Sequence, residues 1–143
     1  MNTIWGITLI VTSGLAVVGQ FISAFWPASA AQLGLSESED EVDTTFYADA
    51  RGEAYWDTAT LWTLPVAGVL MLLDNHWWIP FGLIGGGAYL YFAGRGLAVR
   101  IVMQRRSIGI GSRRSVTTGM IFLAVWGLVA LVTILAAVRA MST

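Results

Sequence analysis

The feature that most restricts this chain is a pair of apolar runs folded about a polar tip. Residues 54–73 hold a single charged side chain, Asp57, and residues 77–94 hold none. Between them stand Asp74, Asn75 and His76, while Glu53 closes one outer end and Arg95 and Arg100 close the other. An α-helix needs ~20 mostly apolar residues to cross ~30 Å of hydrocarbon, and each run is close to that length. Cutting the whole chain at charged and turn-forming residues leaves four such runs, near 3–26, 54–73, 77–94 and 116–138. The third reaches 100 if Arg95 and Arg100 extend towards the headgroups. The expected fold class is therefore an all-α integral membrane protein. Four transmembrane helices, 3–26, 54–73, 77–100 and 116–138, form one small bundle around a central helical hairpin, 54–100. The runs lack the alternation of barrel strands, which disfavours a β-barrel.

Composition narrows the chemistry. The chain is 56% hydrophobic and 12% charged, against about a quarter charged in soluble domains. It has no cysteine, which excludes disulfides, thiolate metal sites and cysteine nucleophiles. Its one histidine, His76, excludes a haem held between two histidines and a three-histidine zinc site within one chain. No nucleophile–base pair is recognisable. No catalytic residue, metal or cofactor is expected, and an enzyme acting on lipid or quinone is the least favoured reading.

The first run lacks a basic leader and is too long for an ordinary signal-peptide core, so it reads as a retained helix. Trp5 and Trp26 lie at its ends as interfacial anchors, and Pro27 stops it. Gly6, Ser13 and Gln20 recur every seven residues and so share a face that should meet another helix. Residues 28–53 form an acidic segment in which Ser36–Asp43 reads as a solvated loop. Its acids lack the glycine turn and ligand spacing of a calcium loop. From Thr44 the pattern turns helical, with Asp43 a candidate N-cap for a juxtamembrane helix running into the second span.

Every basic residue is an arginine, and six of them lie between 95 and 114, in and around the connection 101–115. The tip near His76 has none. Basic loops face the cytoplasm, so 101–115 and the acidic 28–53 segment are both expected there, close enough to attract each other. Both termini then face the other side of a plasma (inner) membrane. The stretch Ser107–Ser112 lacks the lysine and strand-to-helix setting of a P-loop, and its flanking arginines suit anionic lipid headgroups.

Within the hairpin, Gly82, Gly86, Tyr89, Ala93 and Gly96 fall on one stripe at helical spacing, with Gly82 and Gly86 a small-xxx-small pair. That stripe suits either tight helix contact, within or between chains, or a pathway lining. Thr58, Thr60 and Thr63 add hydroxyls to the second span, and Pro65 frees a backbone carbonyl. Folding the hairpin about His76 brings Asp57 level with Arg95 and Glu53 level with Arg100, so an intramembrane Asp57–Arg95 pair is expected. Asp57 could alternatively respond to protons or cations.

Two function classes remain. One is a homo-oligomeric channel or transporter for ions or small solutes, with Gln20, Thr60, Thr63, Gly82, Gly86 and Tyr89 as its candidate pathway or packing groove. The other is a non-catalytic accessory or assembly subunit of a larger membrane complex, docking through the glycine stripe. Membrane lipids, further copies of the chain or other membrane subunits are the expected partners. No nucleic-acid partner is expected.

Overall fold

A computed structural model describes residues 2–142, with nothing to be said of the Asn2 side chain. It is all-helical, with no strand among the described residues. The helices are α1 (Asn2–Phe25), α2 (Pro27–Gln32), α3 (Thr44–Thr60), α4 (Thr63–Leu72), α5 (Trp78–Arg105) and α6 (Arg113–Met141), with one 3-10 turn at Glu39–Glu41. Helix α4 packs between α1 and α5, and α5 packs between α4 and α6. The core joins Leu9, Ala16, Leu61, Leu64, Tyr89, Leu123 and Ala130 from α1, α4, α5, α6 and the α3–α4 link.

Two helices, α1 from Thr3 and α6, are long and apolar enough to cross a membrane. The second expected span is not one helix. It breaks at Leu61–Trp62 because Pro65 has no N–H for the Leu61 carbonyl, which instead accepts a long 3.4 Å bond from Leu64. The ten-residue α4 alone rises only about 15 Å. Helix α5 has the length, at 28 residues, but its glycines, tyrosines and arginines dilute its apolar character.

Glycines set the closest helix contacts. A Cβ on Gly68 would lie 2.7 Å from the Gly6 carbonyl oxygen, and one on Gly85 would lie 2.6 Å from the Leu64 nitrogen. Backbone therefore meets backbone where α4 crosses α1 and where α5 crosses the start of α4. The stripe of Gly82, Gly86 and Gly96 faces α6, whose Thr133, Ile134 and Leu123 fill it.

The turns are built by local bonds. At the hairpin tip the N–H of Asn75 reaches the Leu70 carbonyl and that of Asp74 reaches Met71, with Asp74 at φ 47. This double bond closes α4 in a Schellman cap. Asn75 Oδ1 then accepts from the Trp77 N–H at 3.0 Å, turning the chain into α5. Asp43 does cap α3, its carboxylate accepting from the Thr45 N–H at 2.8 Å.

The 28–53 segment is more ordered than a solvated loop. It contains α2 and the first turns of α3, and it lies on the 106–112 connection. The Asp43 N–H donates to the Gly109 carbonyl at 2.8 Å, the Ser115 hydroxyl donates to Glu37, and Phe46 packs with Ile110 and Val116. The two segments thus meet, but through an apolar cluster and backbone bonds. Arg105, Arg106, Arg113 and Arg114 are exposed, and the ion pairs among the described residues both belong to Arg95.

Side-chain sizes are arranged opposite to those of a water-soluble bundle. Along α1 the buried positions are mostly small, Gly6, Ser13, Ala16 and Ala24 beside Leu9, whereas Ile4, Ile7, Val11, Leu15, Val18, Phe21 and Phe25 are exposed, Leu15 by 67%. Helix α6 repeats this, with Ala130, Thr133 and Ala137 inside and Phe122, Leu128 and Leu135 outside.

Candidate functional site

Asp49, Glu53 and Asp57 recur every four residues along α3, so they line one face. Opposite them on α5 stands Arg95. Its guanidinium donates to Asp49 Oδ1 at 2.5 Å and to Glu53 Oε1 at 2.9 Å. The expected Asp57–Arg95 bridge does not form. The register differs by one turn because depth counted from the tip assumes one straight helix, and the break at Leu61–Trp62 re-aims α3. Glu53 likewise meets Arg95 rather than Arg100. Arg100 donates to the Gly96 carbonyl at 3.1 Å and lies over the Phe46 ring at 5.6 Å.

Asp57 is left as the deepest charged group. It is 4% exposed, and its Oδ2 is buried with no hydrogen-bond partner. Glu53 and Arg95 are the charges that act on it, and Asp57 in turn acts on Tyr89. Tyr89 is fully buried and donates its hydroxyl to the Ser13 carbonyl at 2.7 Å, which joins the middle of α5 to α1. The Gly6–Ser13 face of α1 therefore does meet other helices. Gln20, on the same face, is half-buried.

The remaining candidates do not converge on Asp57. Thr60 donates to the Trp56 carbonyl at 3.0 Å and Thr63 to the Thr60 carbonyl at 2.9 Å, so each hydroxyl is used along its own chain segment. Gly82 and Gly86 are covered by α6. Of the six residues expected to form a pathway or a packing groove, Gly82 and Gly86 pack against α6 in an intramolecular seam, while Tyr89, Thr60 and Thr63 donate their hydroxyls to main-chain carbonyls.

Two groups escaped the sequence reading. Asp49 lies outside the apolar run, though its spacing to Glu53 and Asp57 was visible. Arg51 donates to the carbonyls of Ser23 and Ala24, the latter at 3.0 Å, and so caps the C-terminal turn of α1. It also donates to the Tyr55 hydroxyl at 3.0 Å.

Chemically, the site is a ladder of three carboxylates leading from the charged end of the bundle into its core. One arginine is clasped at the two outer rungs, and Oδ2 of the innermost rung is buried without a partner. No family model, no curated protein and no solved structure matches this chain.

Proposed function

We propose that this chain is a small multi-pass membrane protein that carries protons, working as a homo-oligomer, with Asp57 as the group that takes up and releases the proton. The observation that carries this reading is the buried Oδ2 of Asp57, which has no hydrogen-bond partner on a residue 4% exposed, at the inner end of an acidic ladder. An ionisable group held inside a membrane segment is expensive and is kept where it works. A single carboxylate oxygen suits a proton better than a metal cation, which takes several oxygens.

The ladder supplies a mechanism. Its rungs are one helical turn apart, so Arg95, now on Asp49 and Glu53, would meet Glu53 and Asp57 after α3 slips by about 5–6 Å against α5. A protonated Asp57 leaves Arg95 on the outer rungs. Loss of the proton creates a charge that draws Arg95 inward. The hinge for this motion is the Leu61–Trp62 break. Membrane embedding is supported by the large apolar side chains facing outward on α1 and α6. The second and third crossings are then α3–α4 and α5, antiparallel as a hairpin.

Reconstituted protein should collapse a pH gradient across liposomes loaded with a pH-sensitive dye. Asp57→Asn should slow this at least tenfold while helix content and oligomer size stay unchanged. Wild-type flux in Asp57→Asn would end the proposal.

An accessory role has one feature in its favour. The exposed acidic turn Glu39–Asp40–Glu41 buries no residue and is free to meet a basic partner. Native mass spectrometry of protein extracted gently from its own membranes separates the two, since foreign subunits would accompany an accessory chain.

A further inference from the structure

At the end of the bundle away from the acidic ladder, α1 and α6 both line a cleft beside the hairpin tip. Trp5 Nε1 donates to Thr133 Oγ1 at 3.2 Å, and towards the helix ends the cleft opens to about 750 Å³. Its walls are apolar: Ile4, Met71, Ile79, Val132, Leu135 and Ala136. Arg139, His76 and the indoles of Trp5 and Trp78 also line it. Arg139 is the single arginine of this end, the other seven lying at the opposite one. Asp74, the single acid here, is not part of the lining.

We infer that this cleft is a site for one anionic phospholipid of the surrounding leaflet, its acyl chain against the α1–α6 wall and its phosphate on Arg139 and His76. The volume lies within the range of ligand sites, about 300–1,000 Å³. Charge complementarity selects the headgroup. A guanidinium meets phosphate with paired N–H donors, and it favours an anionic headgroup over phosphatidylcholine, whose quaternary ammonium offsets the phosphate charge. Position selects the source, because Arg139 and His76 lie where α6 and the hairpin tip reach the interface, and the bilayer supplies lipid there without an aqueous step. The inference rests on the membrane reading above and is independent of proton transport.

The test is native mass spectrometry of the full chain, stripped of lipid in detergent and then given equal amounts of phosphatidylglycerol and phosphatidylcholine. One phosphatidylglycerol should be retained in preference, by about fivefold for one arginine at an interface. Arg139→Gln should bring the two lipids to parity. Ala136→Trp should fill the cleft and lower retention of both. If that variant fails to fold by circular dichroism, the surface change Arg139→Gln still decides. Equal retention by the wild type, an unchanged preference in Arg139→Gln, or displacement of phospholipid by an added quinone would overturn the inference. Release of the chain from membranes by a carbonate wash would instead defeat the membrane reading itself.

Discussion

Arg95 carries the heaviest electrostatic duty of any residue here, since two carboxylates lean on it. Replacing it with glutamine strands both. An exposed ion pair is worth under about 1 kcal/mol and losing one partner of a buried pair costs about 3–5 kcal/mol. These groups are less than a third exposed, so Arg95→Gln should cost roughly 2 kcal/mol, measured by denaturant titration in micelles. Asp49→Asn should cost less, because Glu53 remains on the guanidinium. If the two variants are equally stable, the clasp is not structural. That Arg95 needed an acid was legible in the sequence, from its place at the edge of an apolar run. Which acid it takes was not, because the answer depends on a kink whose angle no residue count supplies.

The helices that pack most closely do so through glycine, and α5 offers an internal comparison. Gly85 lies against the Leu64 backbone, whereas a Cβ on Gly87 would meet nothing within 4 Å. Gly85→Ala forces two backbones apart and should destabilise the bundle by about 1–3 kcal/mol. Gly87→Ala should be neutral or should stabilise by up to about 1 kcal/mol through helix propensity. Equal effects in the same titration would mean that the α4–α5 crossing tolerates widening. The number of apolar runs and the turn at Asp74–His76 could be read directly, because run length and capping chemistry are local. The break within the second run was signalled by Pro65, yet a proline can kink a helix or be absorbed by it. The partner of the glycine stripe is a tertiary matter, and α6 carries no motif that announces it.

Charge is distributed very unevenly over the molecule. The half of the bundle bearing α2, α3 and the 106–112 connection holds seven of the eight arginines and, with the buried Asp57, eight of the nine acids. With basic segments retained in the cytoplasm, a cysteine at Asn75 should be labelled by an impermeant thiol reagent outside intact cells, and one at Gly109 only after lysis. The reverse pattern would invert the orientation. The two halves of the bundle also differ in how firmly they are fixed. Helix α4 is gripped on both sides by glycine contacts, while α3 is joined to α5 by the Arg95 clasp and to α1 through Arg51. Were the Leu61–Trp62 break to act as a pivot, a 10° rotation of about 25 Å of helix would carry the Asp43 end by about 4 Å. Phe46, near that end, is seated with Ile110 and Val116. If Asp57 carries protons as proposed, the arrangement would work as a crank: gain or loss of one proton in the apolar interior would be geared up into a displacement at the polar surface, where other molecules could sense it.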